Sequence, residues 1–387
     1  MKIIHCCFSF EYVDDMAYQE NILPYMHKKL GNDVLVVTGT IVDRAGMDKY
    51  VKPSGRYFMK NSIEIIRLPP LKLPYFMQKK LHIHRHVYKT LVDEKPDLIF
   101  IHEVNSLSIL QVKKYVKKNP KVRVMIDNHN DYFNSGRNEL SMNILHKGLY
   151  RWICKQIYPL VEVFWGTLPI RSEFLHQVYG VSYDKIRFLP MGIDDTDIPY
   201  GDKQEIKKHI RNLLNIEKDD FVVITGGKID EEKRILELVR AVKKLPDKIK
   251  LIIFGKPTNR FQMVFNEECA NSKQIIYVGW IDSKNVYKYF FSADLACFPG
   301  GHSVLWEQAV ACGIPAVFRK RKGMDHVDIG GNCTFIDNAD VNTIENSIMS
   351  LYNNTKCYEK MKAVAEKNGR PIFSYLEIAR KSINDRN

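Results

Sequence analysis

A chain of 387 residues is too long for a single hydrophobic core and predicts two domains of roughly 150–200 residues each. A hydrophobic fraction of 45% and an aromatic fraction of 11% can fill two cores, yet no window reaches the ~20 uncharged apolar residues of a membrane span. The formal charge of +13 implies acidic partners; it is spread over both halves and comes with no nucleic-acid module, so nucleic acid is not the expected one.

The opening run MKIIHCCFSFEY is too short and turns acidic too soon for a signal peptide, so it reads as a first buried strand of a cytoplasmic protein. The eight cysteines are scattered without CxxC spacing, which suits small buried hydrophobes in a reducing compartment. Apolar runs then predict strands at Lys2–Cys7, Val34–Thr38, Ile63–Leu68, Leu98–His102, Val122–Asp127 and Val161–Gly166, with a further short one inside Lys185–Asp194. Helical periodicity falls between them, for example over Ala17–Leu30 and Ile170–Val178. The densest basic segment, Lys52–Lys89, interleaves Tyr57, Phe58, Tyr75 and Phe76; it is either a solvated helix face or a docking surface for anionic lipid headgroups. The polar, turn-rich IDDTDIPYGDKQEIKKH reads as a hinge. Beyond it FVVITGGKID reads as a strand entering a glycine turn, IKLIIFGKP, KQIIYVGW, ADLACFPGG and PAVFRK as further strands, and EEKRILELVRAVKKL as an amphipathic helix. The fold class is therefore α/β, with two Rossmann-like domains facing a central cleft.

In open sheets of this kind ligands bind beyond the carboxyl ends of the strands, where helix starts present N–H groups. That rule selects Gly226, Gly227, Lys228, Lys233 and Arg234, whose amides and cations either suit a diphosphate or are basic groups left in solvent at a helix start; neither GxxxxGK[ST] nor GxGxxG is present. It also selects Gly300 and Gly301, which permit close backbone approach, His302, and Ser303 as a helix cap. Glu307, about one turn into the next helix, is either an acceptor for a ribose diol or a first-turn acid favoured by the helix dipole.

The order LPMGID, TGGKIDEEKRILELVRAV, LIIFGKP, IIYVGWID and FFSADLACFPGGHSVLWEQAVACGIPAVF resembles the retaining, nucleotide-sugar-dependent glycosyltransferases of family 4, which have the GT-B architecture. The likeness is densest over Lys185–Val317 and extends loosely over most of the chain. It implies an acceptor-side domain at residues 1–198, a nucleotide-sugar-binding domain at 199–368, and a closing helix at 369–387 that crosses back to the first. It further implies donor-diphosphate binding by Lys228 and Lys233, a ribose contact for Glu307, and a sugar-side role for His129, so that His129, Lys228 and Lys233 are the candidate catalytic residues. The first acid of the family's Glu-x7-Glu motif is replaced by Pro299, leaving His302 and the Gly300–Ser303 amides as substitutes. Asp14, Asp15 and Met16 stand where the family carries a glycine pair, and Asp15, His102 and Asp131 are candidates on the acceptor or sugar side. No DxD lies in a strand-end loop, so neither a metal nor a cofactor is expected; the nucleoside-diphosphate sugar is a substrate.

The expected reaction is retaining transfer of a hexose-type unit to a lipid-linked or surface polysaccharide acceptor, at the inner membrane face. Two alternatives stay open: a non-catalytic nucleotide-sugar-binding subunit, and a hydrolysing nucleotide-sugar epimerase of similar fold.

Overall fold

The computed structural model describes residues 1–9, 12–42, 50–136 and 138–384. The chain divides into two compact units, Met1–Pro190 joined by the chain from Ala379 onward, and Met191–Ile378.

The first unit is built on eight strands in the order β10-β9-β8-β7-β1-β2-β6-β5. They are β1 (Lys2–Cys7), β2 (Asp33–Gly39), β5 (Gly55–Phe58), β6 (Glu64–Leu68), β7 (Leu98–His102), β8 (Arg123–Asn128), β9 (Val163–Gly166) and β10 (Ile186–Phe188). A separate antiparallel pair, β3 (Ile41–Val42) and β4 (Tyr50–Val51), stands apart from it. All pairings in the large sheet are parallel except that of β5 with β6. Helices α1 (Gln19–Lys29), α2 (Tyr75–Leu81), α3 (Val87–Glu94), α4 (Ile109–Lys118), α5 (Arg151–Ile157) and α6 (Pro169–Phe174) intervene. Strands such as LIFIH are buried along their whole length, as a sheet covered on both faces requires. The chain winds one way through β1, β2 and β6 and the other way through β7 to β10, so the order reverses between β1 and β7.

The second unit carries six parallel strands in the order β13-β12-β11-β14-β15-β16. These are β11 (Phe221–Ile229), β12 (Ile249–Pro257), β13 (Ile275–Gly279), β14 (Leu295–Phe298), β15 (Ala316–Arg319) and β16 (Cys333–Ile336). Numbered from β11, this is the doubly wound order 3-2-1-4-5-6, whose switch point lies between β11 and β14. Its helices are α7 (Lys203–Leu213), α8 (Ile235–Val242), α9 (Gln262–Cys269), α10 (Val286–Ser292), α11 (Leu305–Ala311), α12 (Val341–Asn353) and α13 (Thr355–Phe373); α14 (Tyr375–Asn384) follows across the boundary between the units. Among the described residues no helix is long and apolar enough to cross a membrane.

Three expectations shift. The units part at Pro190/Met191 and Ile378/Ala379, where the sequence reading set breaks after 198 and 368. Backbone bonds from Ile193 N–H to Phe373 and from Tyr375 N–H to Ile193 hold the segment after Pro190 against the end of α13, which runs through residue 369 without a break. The segment read as a hinge runs into α7, whose Lys207, and Arg211 just beyond that segment, bind Asp294 at 2.7 and 2.6 Å. Those two charges are consumed in packing rather than left to a linker. Finally, β11 does not turn at its glycines: β12 pairs with it to the end, Gly227 opposite Gly255, both at positive φ.

Candidate functional site

In the second unit the ends of β11 and β14 meet the switch point, and the residues selected from sequence gather there. Gly300 is needed by contact: a Cβ would fall 2.4 Å from the backbone of Glu232 and Lys233. That approach lets Gly301 N–H reach the Glu232 carbonyl at 3.1 Å. Lys233 closes the arrangement from the other side, donating Nζ–H to the carbonyls of Gly301 (2.7 Å) and His302 (2.9 Å). Burial lowers its pKa, opposed by Glu232 and Asp230. Lys233 is thus a clamp on the 300–302 loop. Lys228 is the exposed cation at the end of β11, its side chain 67% accessible beside Asp230 at 3.0 Å.

Ser303 does not cap the next helix with its hydroxyl; Val304 holds the cap position without a side-chain bond, and Ser303 offers its backbone carbonyl to Trp306 N–H. Glu307, in the first turn of α11, is 0% exposed. Its Oε1 accepts from His302 Nε2 at 2.9 Å and from His326 Nε2 at 2.8 Å, while Oε2 is buried with no hydrogen-bond partner among the described residues. Burial pushes this carboxyl up, but the two imidazoles outweigh it and hold the group below the usual glutamate range. His302 therefore serves Glu307 in this structure. His326 was not singled out from sequence; it sits in a loop, GMDHVD, with no spacing that points to the helix it meets.

The first unit collects a second cluster beyond β7 and β8. His129 follows β8, its side chain 23% exposed and its Nε2 3.4 Å from Asp127 Oδ2. Its backbone N–H donates to Glu103 Oε1 at 2.6 Å, and Asn130 Nδ2 donates to the other oxygen of Glu103. Glu103 adopts φ +72°, uncommon for a non-glycine residue, which turns its carboxylate back under this loop. Burial and the nearby Asp127 raise its pKa well above the usual range. Asp131 is buried and occupied: it accepts the N–H groups of Phe133 and Asn134 at 2.8 Å each and pairs with Arg171 at 3.1 Å.

One sugar-side expectation changes with burial. His102 is 0% exposed and hydrogen-bonded within the core, so it does not present a face to a sugar. Asp15 is exposed at φ +56°, but the neighbouring Asp14 makes the contacts, to Arg67 at 2.6 Å and to Tyr57 at 2.8 Å. Asp127 was missed as a site residue, although it opens the polar run DNHND after an apolar strand; Glu103 is legible as a strand-end residue able to contact sugar, but nothing in the sequence marks its φ.

Two groups, His102–Asp127–His129 and His302–Glu307–His326, each bring one nitrogen or oxygen per residue within 4.8 Å of the others. In both, the imidazoles already face one carboxylate oxygen, and hydrogen bonding accounts for the geometry. Chemically, the second-unit site offers an exposed cation and a rigid glycine-lined backbone at a strand switch; the first-unit site offers an imidazole steered by a buried carboxylate.

Residues 206–368 match the family described as glycosyl transferases group 1. An uncharacterized glycosyltransferase of Methanocaldococcus jannaschii is 20% identical over 339 residues, 84% of each chain. The D-inositol 3-phosphate glycosyltransferase of Xylanimonas cellulosilytica is 23% identical over 173 residues, 42% of each chain. Among solved structures, Anabaena HepE in complex with UDP superposes with a TM-score of 0.69 at 13% identity, over 98% of both chains, a likeness of fold. Over residues 206–368 the chain is thus similar to the glycosyl transferases group 1, and each of its two units has a Rossmann-like fold.

Proposed function

We propose that this protein is a retaining glycosyltransferase that takes a hexose-type unit from a nucleoside-diphosphate sugar. The observation that carries the reading is the convergence of Lys228, Lys233 and the close-packed Gly300–Gly301 backbone at the strand switch of the group 1 domain. Departure of a diphosphate builds negative charge, and fixed cations and dipoles at that place stabilise it without a metal. Lys228 supplies the exposed cation; Lys233 fixes the loop and adds its charge. His129 is assigned to the sugar, and Glu307, released from one imidazole, to the ribose. The complexes of HepE with UDP and with UDP-glucose support a nucleotide sugar as the donor class.

The acceptor proposed is a lipid-linked or surface saccharide met at an anionic membrane face. Its support is the Lys52–Lys89 segment, where Phe58 and Phe76 are 66% and 70% exposed and Lys72, Lys79, Lys80 and Lys89 point to solvent.

The test is a thermal-shift panel of UDP-, GDP-, ADP- and TDP-sugars. One base should raise the midpoint by several degrees, since ligand at about a hundredfold its Kd adds about 2.7 kcal/mol. Lys228→Ala should weaken that shift at least tenfold in half-saturating concentration, with the unliganded midpoint unchanged. No response to any donor would remove the reading; donor binding with no sugar transfer to membrane extracts would favour an accessory subunit.

A further inference from the structure

Three histidines lie in file through the core of the first unit. His27 on α1 places Nε2 2.8 Å from Ser382 Oγ and 3.2 Å from the Ala379 carbonyl oxygen. Its Nδ1 is 3.0 Å from His5 Nε2 on β1, and His5 Nδ1 is 3.0 Å from His102 Nε2 on β7. His102 Nδ1 then meets Asp127 Oδ2 on β8 at 2.8 Å. Every group in this line is 0% exposed, and Phe100 packs against all three rings. The other titratable groups facing Asp127 are Cys7 on β1, Glu103 at the end of β7, and His129; Glu20 in turn faces Cys7, and Arg171 and Asp131 face Glu103.

The carbonyl at one end sets the direction of the whole line. Ala379 O can only accept, and with the Ser382 hydroxyl proton directed to it at 2.9 Å both oxygens facing His27 Nε2 are acceptors, so His27 donates from Nε2. The bare Nδ1 of His27 then accepts from His5 Nε2–H, and the bare Nδ1 of His5 accepts from His102 Nε2–H. At the other end one further proton lies between His102 Nδ1 and Asp127 Oδ2, for otherwise two lone pairs would face each other at 2.8 Å. Running the line backwards keeps a proton on His102 Nδ1 but removes the additional one, leaving three neutral rings beside the buried carboxylate, and it sets a lone pair of His27 against the carbonyl. Each of those is costly in a low-dielectric interior. Burial, with the neighbouring imidazoles, keeps His5 well below its ordinary pKa, and burial takes His27 to about 3, consistent with neutral His5 and His27.

We propose that His27, His5 and His102 are a positioning line that holds one proton against Asp127, so that His129, on the same carboxylate oxygen, stays a neutral ring with Nδ1 left as an acceptor. With the line intact, Asp127 is compensated from within the core and does not draw a second proton onto His129. The docking of the C-terminal helix residues Ala379 and Ser382 thereby fixes the charge of a site residue two strands away. The consequence for a sugar depends on the role of His129 proposed above; the proton count does not.

The test is nitrogen-15 NMR of the full chain labelled at histidine, near pH 7 and without donor, with rings assigned by single variants. His5, His27 and His102 should each carry a proton on Nε2, and His5 and His27 none on Nδ1. Nδ1–H on His5 and His27 would overturn the assignment outright, whatever any variant does. His27→Gln keeps both ends of the line, its amide donating to Ala379 and its oxygen accepting from His5, so His129 should remain singly protonated. His27→Leu ends the line, and His129 should then become doubly protonated at the same pH. An unchanged His129 in a folded His27→Leu protein would sever the link. These spectra need no donor, so their failure leaves the glycosyl-transfer reading standing, and a negative donor screen leaves the proton line standing.

Discussion

Glu307 shows how one side chain can be read correctly by type and differently by surroundings. Its place in the helix was legible from the spacing to Gly300 and Gly301, but the two imidazoles that close on it come from separate loops. A carboxylate held below the ordinary glutamate range stabilises the fold above that range, and the contribution is lost as pH falls through the depressed value. Glu307→Gln should therefore lower stability by about 3 kcal/mol near neutral pH, the scale for breaking a buried pair. The gap to the native protein should narrow on acidification, as measured by denaturant titration from pH 7 towards pH 3.5. A gap constant across that range would mean the carboxylate charge carries no stabilisation. The cysteines follow the same logic of place: five of the eight are buried and burial raises the thiols of Cys6, Cys7, Cys154, Cys297 and Cys312, whereas Cys357 is exposed.

At the scale of elements, the loop after β14 and the short turn at Glu231–Lys233 form one unit, and the glycines in it are not equivalent. A methyl group at Gly300 would strike backbone atoms of Glu232 and Lys233 at 2.4 Å, which cannot yield without moving the strand end. One at Gly301 would meet only the side-chain end of Glu232, at 3.1 Å. Gly300→Ala should then cost about 1–3 kcal/mol, the range for overpacking, and weaken donor binding as the Lys233 clamp is displaced. Gly301→Ala should stay within about 0.5 kcal/mol of the native protein, the scale of unstrained surface changes. Equal effects in thermal melts would show that the loop is not seated as described. The doublet was visible in the sequence, but which of the two glycines is obligatory was not, because that depends on the backbone of a turn 68 residues earlier.

For the whole molecule, the charge of +13 is less free than it looks. Arg67 is 1% exposed and spent on Asp14, Tyr57 and two backbone carbonyls, and Arg211 is likewise consumed inside the second unit. What remains on the Lys52–Lys89 segment is a solvent-facing set of lysines around Phe76. Vesicles containing anionic lipid should retain the protein at low salt and release it as salt rises, since exposed charges are screened within about 10 Å at 0.1 M. Phe76→Glu should reduce sedimentation with such vesicles several-fold, leaving the thermal midpoint unaltered; equal retention by neutral vesicles would sink the docking proposal. The sequence alone determined the strand-and-helix alternation and the two-core organisation, because buried parallel strands such as Lys2–Cys7 and Leu98–His102 write themselves as unbroken apolar runs. It also located the strand-end residues Lys228, Gly300 and His129. Tertiary structure decided what those residues touch: that Lys233 grips carbonyls, that His102 belongs to a line of buried rings, and that α7 is a packed helix rather than a linker. Hydrogen bonds between residues about 20 to 350 positions apart leave no periodicity to read, and only the folded chain brings their atoms within reach of one another.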